Sequence, residues 1–388
     1  MDSTDELARR VRPEFPLLLR PFVFLDAAST APKPRPVIDA VLAYYETSTG
    51  NVHRSVHPLG EIATRSYEAA RLEIASFVGA SPSEIVFTRG ATEAINLLAH
   101  GLGLGPDDEV IVPASEHHAN FLPWRFRARP VVVPVDDEGV PRWDAIEKLF
   151  SPRTKLLAFA HASNVTGVVA PVAELSALAH ARGVPVLLDA AQSLSHLPID
   201  VRALGVDFVA ASSHKAFGPT GVGFLYAQRD RLAKLALYQV GGGMSDGAFV
   251  PLDPPLRFEA GTPAIEGAIG FGAAVRWLRA LGWDAIRAHE QALAARMLDG
   301  LAEIPRVRVL GASARESRLA IASFGVDAPE AVARKLADAG ICVSAGQHCA
   351  HSLHETLGLA GTVRASAHVY NELAEIDAFV RAVRELSL

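Results

Sequence analysis

The chain has 388 residues, 49% of them apolar and 21% charged, with two cysteines and a formal net charge of -6. That length is too great for one small core, and the composition excludes a disordered chain or a disulfide-stapled scaffold. An acidic balance with no basic stripe argues against nucleic acid as a partner.

The N-terminus, Met1 to Glu6, is acidic, and the apolar run 16–19 is too short for a leader or a membrane span. Cys342 and Cys349 lack CxxC spacing, so the expected setting is a reducing cytoplasm. The proline-rich stretch 32–36 predicts a helix entry. From about residue 84, apolar runs alternate with helical patterns. Strands are expected at 85–87, 109–112, 131–135, 156–159, 186–188, 208–210 and 222–226. A helix is expected near 91–100, a further segment lies near 120–127, and Val172, Leu175, Leu178 and Ala179 form one apolar helix face. This alternation predicts βαβ units and a mostly parallel sheet flanked by helices. Gly241–Gly243 and the prolines at 251–255 predict a long functional loop. A helical tract over 264–304 follows, then strands near 307–310 and 318–324 and helices near 329–339 and 372–386. The expected division is a large domain over 16–263 and a smaller α+β domain over 264–388, with segment 1–30 packing on the latter.

Two residues carry the strongest chemical signal. Asp189 ends the apolar run 184–188, and Lys215 ends the polar run Ser212, Ser213, His214. A carboxylate at a strand end and a lysine on a nearby loop are the groups that pyridoxal 5′-phosphate requires, the lysine for a Schiff base and the acid to keep the ring nitrogen protonated. Gln192, Ser212 and His214 are polar groups set against apolar strands, where they need partners that a cofactor would supply. The plainer reading is that strand-end aspartates are common in α/β proteins and that His214 and Lys215 form a solvated turn. Residues 88–95 open a helix directly after a strand, where free N–H groups favour a phosphate. Further polar loops at 116–120, 163–167 and 346–350 bring an imidazole, an amide and a thiol.

The motifs RGxTExIN at 89–96, EHHAN at 116–120, SNVxG at 163–167, DxAQ at 189–192, SxHK at 212–215, RFEAGTP at 257–263, GxHCA at 346–350 and RAS at 364–366 carry a family resemblance. From Leu25 to the C-terminal helix, the chain resembles the fold-type I pyridoxal-phosphate enzymes of the class V aminotransferase group. Within that group it is most similar to the group II cysteine desulfurases, which include selenocysteine lyases. The resemblance implies a homodimer that converts cysteine or selenocysteine to alanine and hands sulfur to an acceptor, with a protein acceptor one option. It assigns Lys215 to the cofactor linkage, Asp189 to the pyridinium nitrogen, Gln192 to the phenolic oxygen, and His117 to stacking on the ring with Asn164 nearby. Thr92, Ser212 and His214 would hold the phosphate, with Thr262 reaching over from the second subunit. Arg364 would clamp the substrate carboxylate. Cys349 would accept sulfur, its thiol acidified by His348 if that ring is protonated.

Two departures stand out. Ser344 and Gln347 occupy positions where the family usually carries arginine and histidine, and the segment between Gly243 and Arg257 is short. Other class V chemistry that does not use Cys349 (C–S lyase, epimerase or aminotransferase) therefore stays open, as does a non-catalytic protein on this fold. His348, Cys349, His351 and His354 match no common zinc spacing, so no metal is expected. Cys342, in an apolar stretch, is expected in the core. His53, Arg54 and His57 read equally as an active-site loop or as surface polar groups.

Overall fold

The computed structural model describes residues 5–386; the first four residues of the acidic N-terminus and the last two of the chain lie outside them. The strands, in chain order, are β1 (Val23–Phe24), β2 (Ile85–Thr88), β3 (Glu109–Pro113), β4 (Arg129–Val133), β5 (Thr154–Ala160), β6 (Val186–Asp189), β7 (Phe208–Ser212), β8 (Gly223–Ala227), β9 (Ile321–Gly325), β10 (Ile341–Cys342), β11 (Ser344–Gly346) and β12 (Thr362–Ser366). Seven of them form one sheet in the order β2-β8-β7-β6-β5-β3-β4. Only β8 runs antiparallel to its neighbours. β3, β6, β7 and β8 are buried along their whole length, because helices cover both faces of the sheet. That is why they read as continuous apolar runs without alternation.

On one face, helices Arg35–Thr47, Pro58–Phe77 and Ile265–Leu281 pack together over the largest core. On the other, helix Ala91–Gly101 supplies Ala94, Ile95, Leu97 and Leu98 to a second core. The 20-residue helix Pro58–Phe77, whose first turn is capped by His57 Nδ1 accepting from Gly60 N, falls outside the elements read from the sequence.

The second unit is the antiparallel sheet β11-β12-β9, covered by helices Trp283–Ala302, Pro329–Asp338 and Leu373–Glu385. The N-terminal segment crosses to it: β1 pairs in parallel with β10, and Ala27 N donates to Ser366 O. The tract expected over 264–304 is two helices, broken at Gly282, whose φ of 82° suits only glycine well. The expected strand near 307–310 reduces to one bridge, Val309 to Phe324. Cys342 is half-buried, since its strand pairs only with the two-residue β1 at a sheet edge. Among the described residues, no helix is long and apolar enough to cross a membrane.

Because β3, β5, β6 and β7 are parallel, the loops that follow them open on one edge of the sheet, where open α/β sheets bind ligands. β12 brings the second unit to that same edge.

Candidate active site

Ten of the eleven residues singled out from the sequence line one cavity of about 490 Å³ at this edge. Thr262 does not; it is exposed and borders a separate hollow with Tyr67 and Glu259. None of His53, Arg54 and His57 lines the cavity. His53 pairs with Glu68, and the Arg54 guanidinium lies against Gly243.

Asp189 closes β6 with only 5% of its surface exposed. One of its oxygens accepts from Ala191 N at 2.9 Å. Burial pushes its carboxyl up, opposed by that N–H and by Lys215. Lys215 ends the single turn after β7. Burial and the nearby Arg364 lower its ammonium to about 8, against Asp189 and Cys349. A cation and an anion buried in one cavity suit a ligand that needs both.

Helix Ala91–Gly101 begins at the cavity. Ser212 Oγ accepts from Ala91 N at 2.8 Å, so the end of β7 anchors the helix start. Gly90, at φ 150°, leaves open the space where a side chain would crowd Ser212 Oγ at 3.1 Å. With Thr92, Ser212 and His214 lining the wall, this forms a cradle for an anion.

His117 Nδ1 accepts from Ala119 N at 3.0 Å, which leaves the ring's proton on Nε2. Burial, then Lys215, lowers the ring to about 4, so it is a flat, neutral surface. Gln192 is fixed by Nε2 donating to Ala28 O. Behind His117 the buried Glu116 ties the loop to the sheet, accepting from Ala160 N and Asn120 Nδ2. Burial lifts Glu116 to about 8.

Arg364, on β12, is 3% exposed. It donates to Asn164 O at 3.0 Å and Ser29 Oγ at 2.7 Å, and Asp26 lies 3.4 Å away. Its Nε is buried and has no partner among the described residues. A buried guanidinium on the cavity wall suits an acidic group.

Cys349 is exposed and lines the cavity mouth. It and His348 both lie in the left-handed region, with φ of 55° and 48°. Two bonds hold this pair: Asn164 Nδ2 to His348 O at 2.9 Å, and His118 N to Cys349 O at 2.7 Å. His348 Nε2 turns to Thr362 Oγ1. Burial and the Arg364 charge lower its ring to about 3, so the protonated ring on which acidification of the thiol was conditional is disfavoured. Ser344 and Ala345 complete this side of the wall.

Asp26 and Ser29 were missed in the sequence. The signal was available, because Asp26 follows the apolar run 22–25 just as Asp189 follows its own. Among the described residues, the side chains close enough to share a metal are His196, Glu290 and His368, not the histidines around Cys349.

The sequence profile of the aminotransferase class-V family matches residues 23–379. A protein of Mycolicibacterium paratuberculosis named a probable cysteine desulfurase is 42% identical, over 97% of this chain and 58% of its own length. The cysteine desulfurase of Synechococcus elongatus is also 42% identical, over 97% of this chain and 63% of its own length. This chain thus spans about three-fifths of those two relatives. Among solved structures, the apo cysteine desulfurase of Thermococcus onnurineus superposes with a TM-score of 0.93 at 37% identity, covering 97% of both chains.

Proposed function

The chain belongs to the aminotransferase class-V family, and on that premise we propose that it is a pyridoxal-phosphate-dependent cysteine desulfurase using Cys349 as sulfur acceptor. The observation that carries this reading is that the Cys349 thiol lines the same cavity as Lys215, Asp189 and Arg364. The residues present fit the cofactor: the cradle at Gly90, the Arg364 guanidinium on the cavity wall and the buried Asp189 each supply something it or its substrate would need. When bound, pyridoxal phosphate supplies an electron sink that draws charge off the substrate's Cα.

The protein's part is holding and moving protons. Thr92, Ser212 and His214 would hold the phosphate, Gln192 the phenolic oxygen, and Asp189 the proton of the ring nitrogen. His117, kept neutral by burial, would offer the ring a surface without added charge. Arg364, on the cavity wall, would bind the substrate carboxylate and so fix which Cα bond faces Lys215. Lys215 Nζ, with its basicity lowered by burial, takes the Cα proton. Cys349 Sγ then takes the substrate's sulfur: one C–S bond breaks and one S–S bond forms. Cysteine and the Cys349 thiol yield alanine and a Cys349 persulfide: of the two thiol protons one ends on the new methyl group and one stays with the persulfide, and the proton taken by Lys215 returns to Cα.

Thr262, exposed and outside its own cavity, supports a homodimer in which it reaches the second subunit's phosphate. The uncharged Ser344 and Gln347 leave the thiol side without an added cation, and no specific acceptor follows from them.

The test is Cys349→Ala. The purified variant should bind the cofactor and keep its yellow absorbance while losing alanine and sulfide formation from L-cysteine. Undiminished alanine production by that variant would sink the persulfide route.

A further inference from the structure

The loop 116–120 after β3 serves both sides of the cavity, and the reaction above makes no use of the buried network beneath it. The His117 ring lines the cavity wall, and His118 N donates to Cys349 O at 2.7 Å. Under the loop lie Glu116, Asn120 and Trp124; Glu116 is 3% exposed and the other two are fully buried. Trp124, on the short helix Leu122–Arg127, packs in the second core and donates from Nε1 to Asn120 Oδ1 at 3.1 Å. Asn120 Nδ2 donates to Glu116 Oε2 at 2.7 Å. Ala160 N donates to Glu116 Oε1 at 2.9 Å, and Ala160 stands in register with Asp189 of β6. The loop's own amides complete the span: Ala119 N donates to His117 Nδ1, Asn120 N to His117 O and Phe121 N to His118 O.

The two ends of this network fix its polarity. An indole N–H and a backbone N–H can only donate, so the side chains between them must present an acceptor at each end. Trp124 thereby settles which way the Asn120 amide points, oxygen to the indole and nitrogen to Glu116. Glu116 is left to accept at both oxygens, which an acid does and an amide cannot. Burial lifts Glu116 to about 8, and a protonated carboxyl keeps acceptor capacity on both oxygens, so the bonds stand in either charge state. Between two fixed donors, one of positions 116 and 120 must be an acid and the other an amide.

We propose that Glu116, Asn120 and Trp124 form a bracket that positions residues 117–119, setting the His117 ring against the bound cofactor and the His118 N–H against the Cys349 carbonyl together. None of the three lines the cavity. They act through His117 and His118, so the proposal rests on the reading of His117 as the cover of the cofactor ring.

The polarity supplies the test. Glu116→Gln sets two N–H groups against each other whichever way the amides turn, and leaves one buried donor unpaired. Combining Glu116→Gln with Asn120→Asp restores every bond, with the link between the two side chains running the other way. Amide hydrogen exchange on cofactor-free protein reads the loop without activity. Residues 118–121 should exchange about fivefold faster or more in Glu116→Gln, the scale of one orphaned buried donor, and return to within about twofold of the parent in the double variant. Residues 186–189 of β6 should keep the parent's rates in both, which separates a loosened loop from a weakened fold. With cofactor bound, the visible circular dichroism band should change in Glu116→Gln and recover in the double variant, kcat falling and recovering with it while KM moves little.

Unchanged loop exchange in Glu116→Gln, equal acceleration in β6, or a double variant as fast as the single would overturn the bracket. An unaltered dichroism band in Glu116→Gln would overturn its hold on the His117 ring. Should Glu116→Gln fail to fold, the double variant decides alone: parent-like exchange at 118–121 sustains the bracket, and faster exchange ends it. A parent protein that takes up no cofactor would instead refute the reading of the site, and the exchange measurement would still decide the bracket.

Discussion

Replacing Arg364 with lysine isolates the carboxylate clamp. The guanidinium already spends one N–H of Nη1 on Asn164 O and those of Nη2 on Ser29 Oγ and Asp26, and its Nε is buried, so the second N–H of Nη1 is the donor left for a ligand. A lysine ammonium in the same space keeps the charge but lacks the fork, so it cannot hold Asn164 and Ser29 and also present a second aligned donor to a carboxylate. One charge-assisted hydrogen bond is worth about 1.5–3 kcal/mol, which at about 1.36 kcal/mol per decade corresponds to roughly a 10- to 150-fold loss in kcat/KM. The assay is initial-rate alanine formation across L-cysteine concentrations, with cofactor occupancy checked by absorbance. Cysteamine, which has no carboxylate, serves as the control ligand: its perturbation of the cofactor spectrum should occur at the same concentration in parent and variant. A loss in kcat/KM below threefold, or an equal weakening toward cysteamine, would refute the clamp.

Burial holds Lys215 at about 8, so roughly a tenth of it is neutral at pH 7 and most is neutral at pH 9. The rate of cofactor uptake by the cofactor-free protein should therefore rise through this range and level off above it; a flat profile would contradict the buried amine. Acid should destabilise the fold early. His117, His161 and His214 are lowered to about 4 and His348 to about 3, so below about 6.5 the unfolded chain binds protons that the folded chain refuses. Stability from these four is present above that pH and lost as it falls. Glu116, raised to about 8, acts in the opposite sense as one group against four. The melting temperature of cofactor-free protein should be lower at pH 5 than at pH 7, and equal values would contradict the assignment. Glu259→Gln removes one of the two carboxylate partners of Arg71, a guanidinium 1% exposed that keeps Glu68, and also weakens the acceptor for Phe87 N. A buried pair broken outright costs about 3–5 kcal/mol; with Glu68 still in place the loss should fall below that range, to be read as a lower unfolding midpoint in urea with the cofactor spectrum unchanged.

The sequence revealed what local pattern encodes. Asp189 and Lys215 each end a run whose polarity changes abruptly, and the fully buried β6 and β7 wrote those runs as uninterrupted apolar letters. The break at Gly282 was missed because helical periodicity continues on both sides of a single glycine. Pro58–Phe77 was missed because its glycine and proline lie in the first turn, where they read as loop. The charge state of His348 was left open for a different reason: it depends on burial and on Arg364, which reaches it only through the fold. The cluster of His196, Glu290 and His368 left no trace at all. His196 and Glu290 are 94 positions apart, so no spacing rule joins them.

With Cys349 as the proposed sulfur acceptor, the left-handed pair at His348 and Cys349 would shape how the sulfur leaves. Such a conformation costs on the order of 1–2 kcal/mol per residue, and here it is clipped from two directions, by the Asn164 amide and the His118 N–H. The thiol is thus a stationary landing stage at the cavity mouth, reachable from the cavity on one side and from solvent on the other. A stationary stage has no opening step of its own. Discharge would then be limited by how often an acceptor arrives, and would climb in proportion to its concentration. Loosening the pair with glycine at position 348 would relieve the strain while blurring the point of delivery.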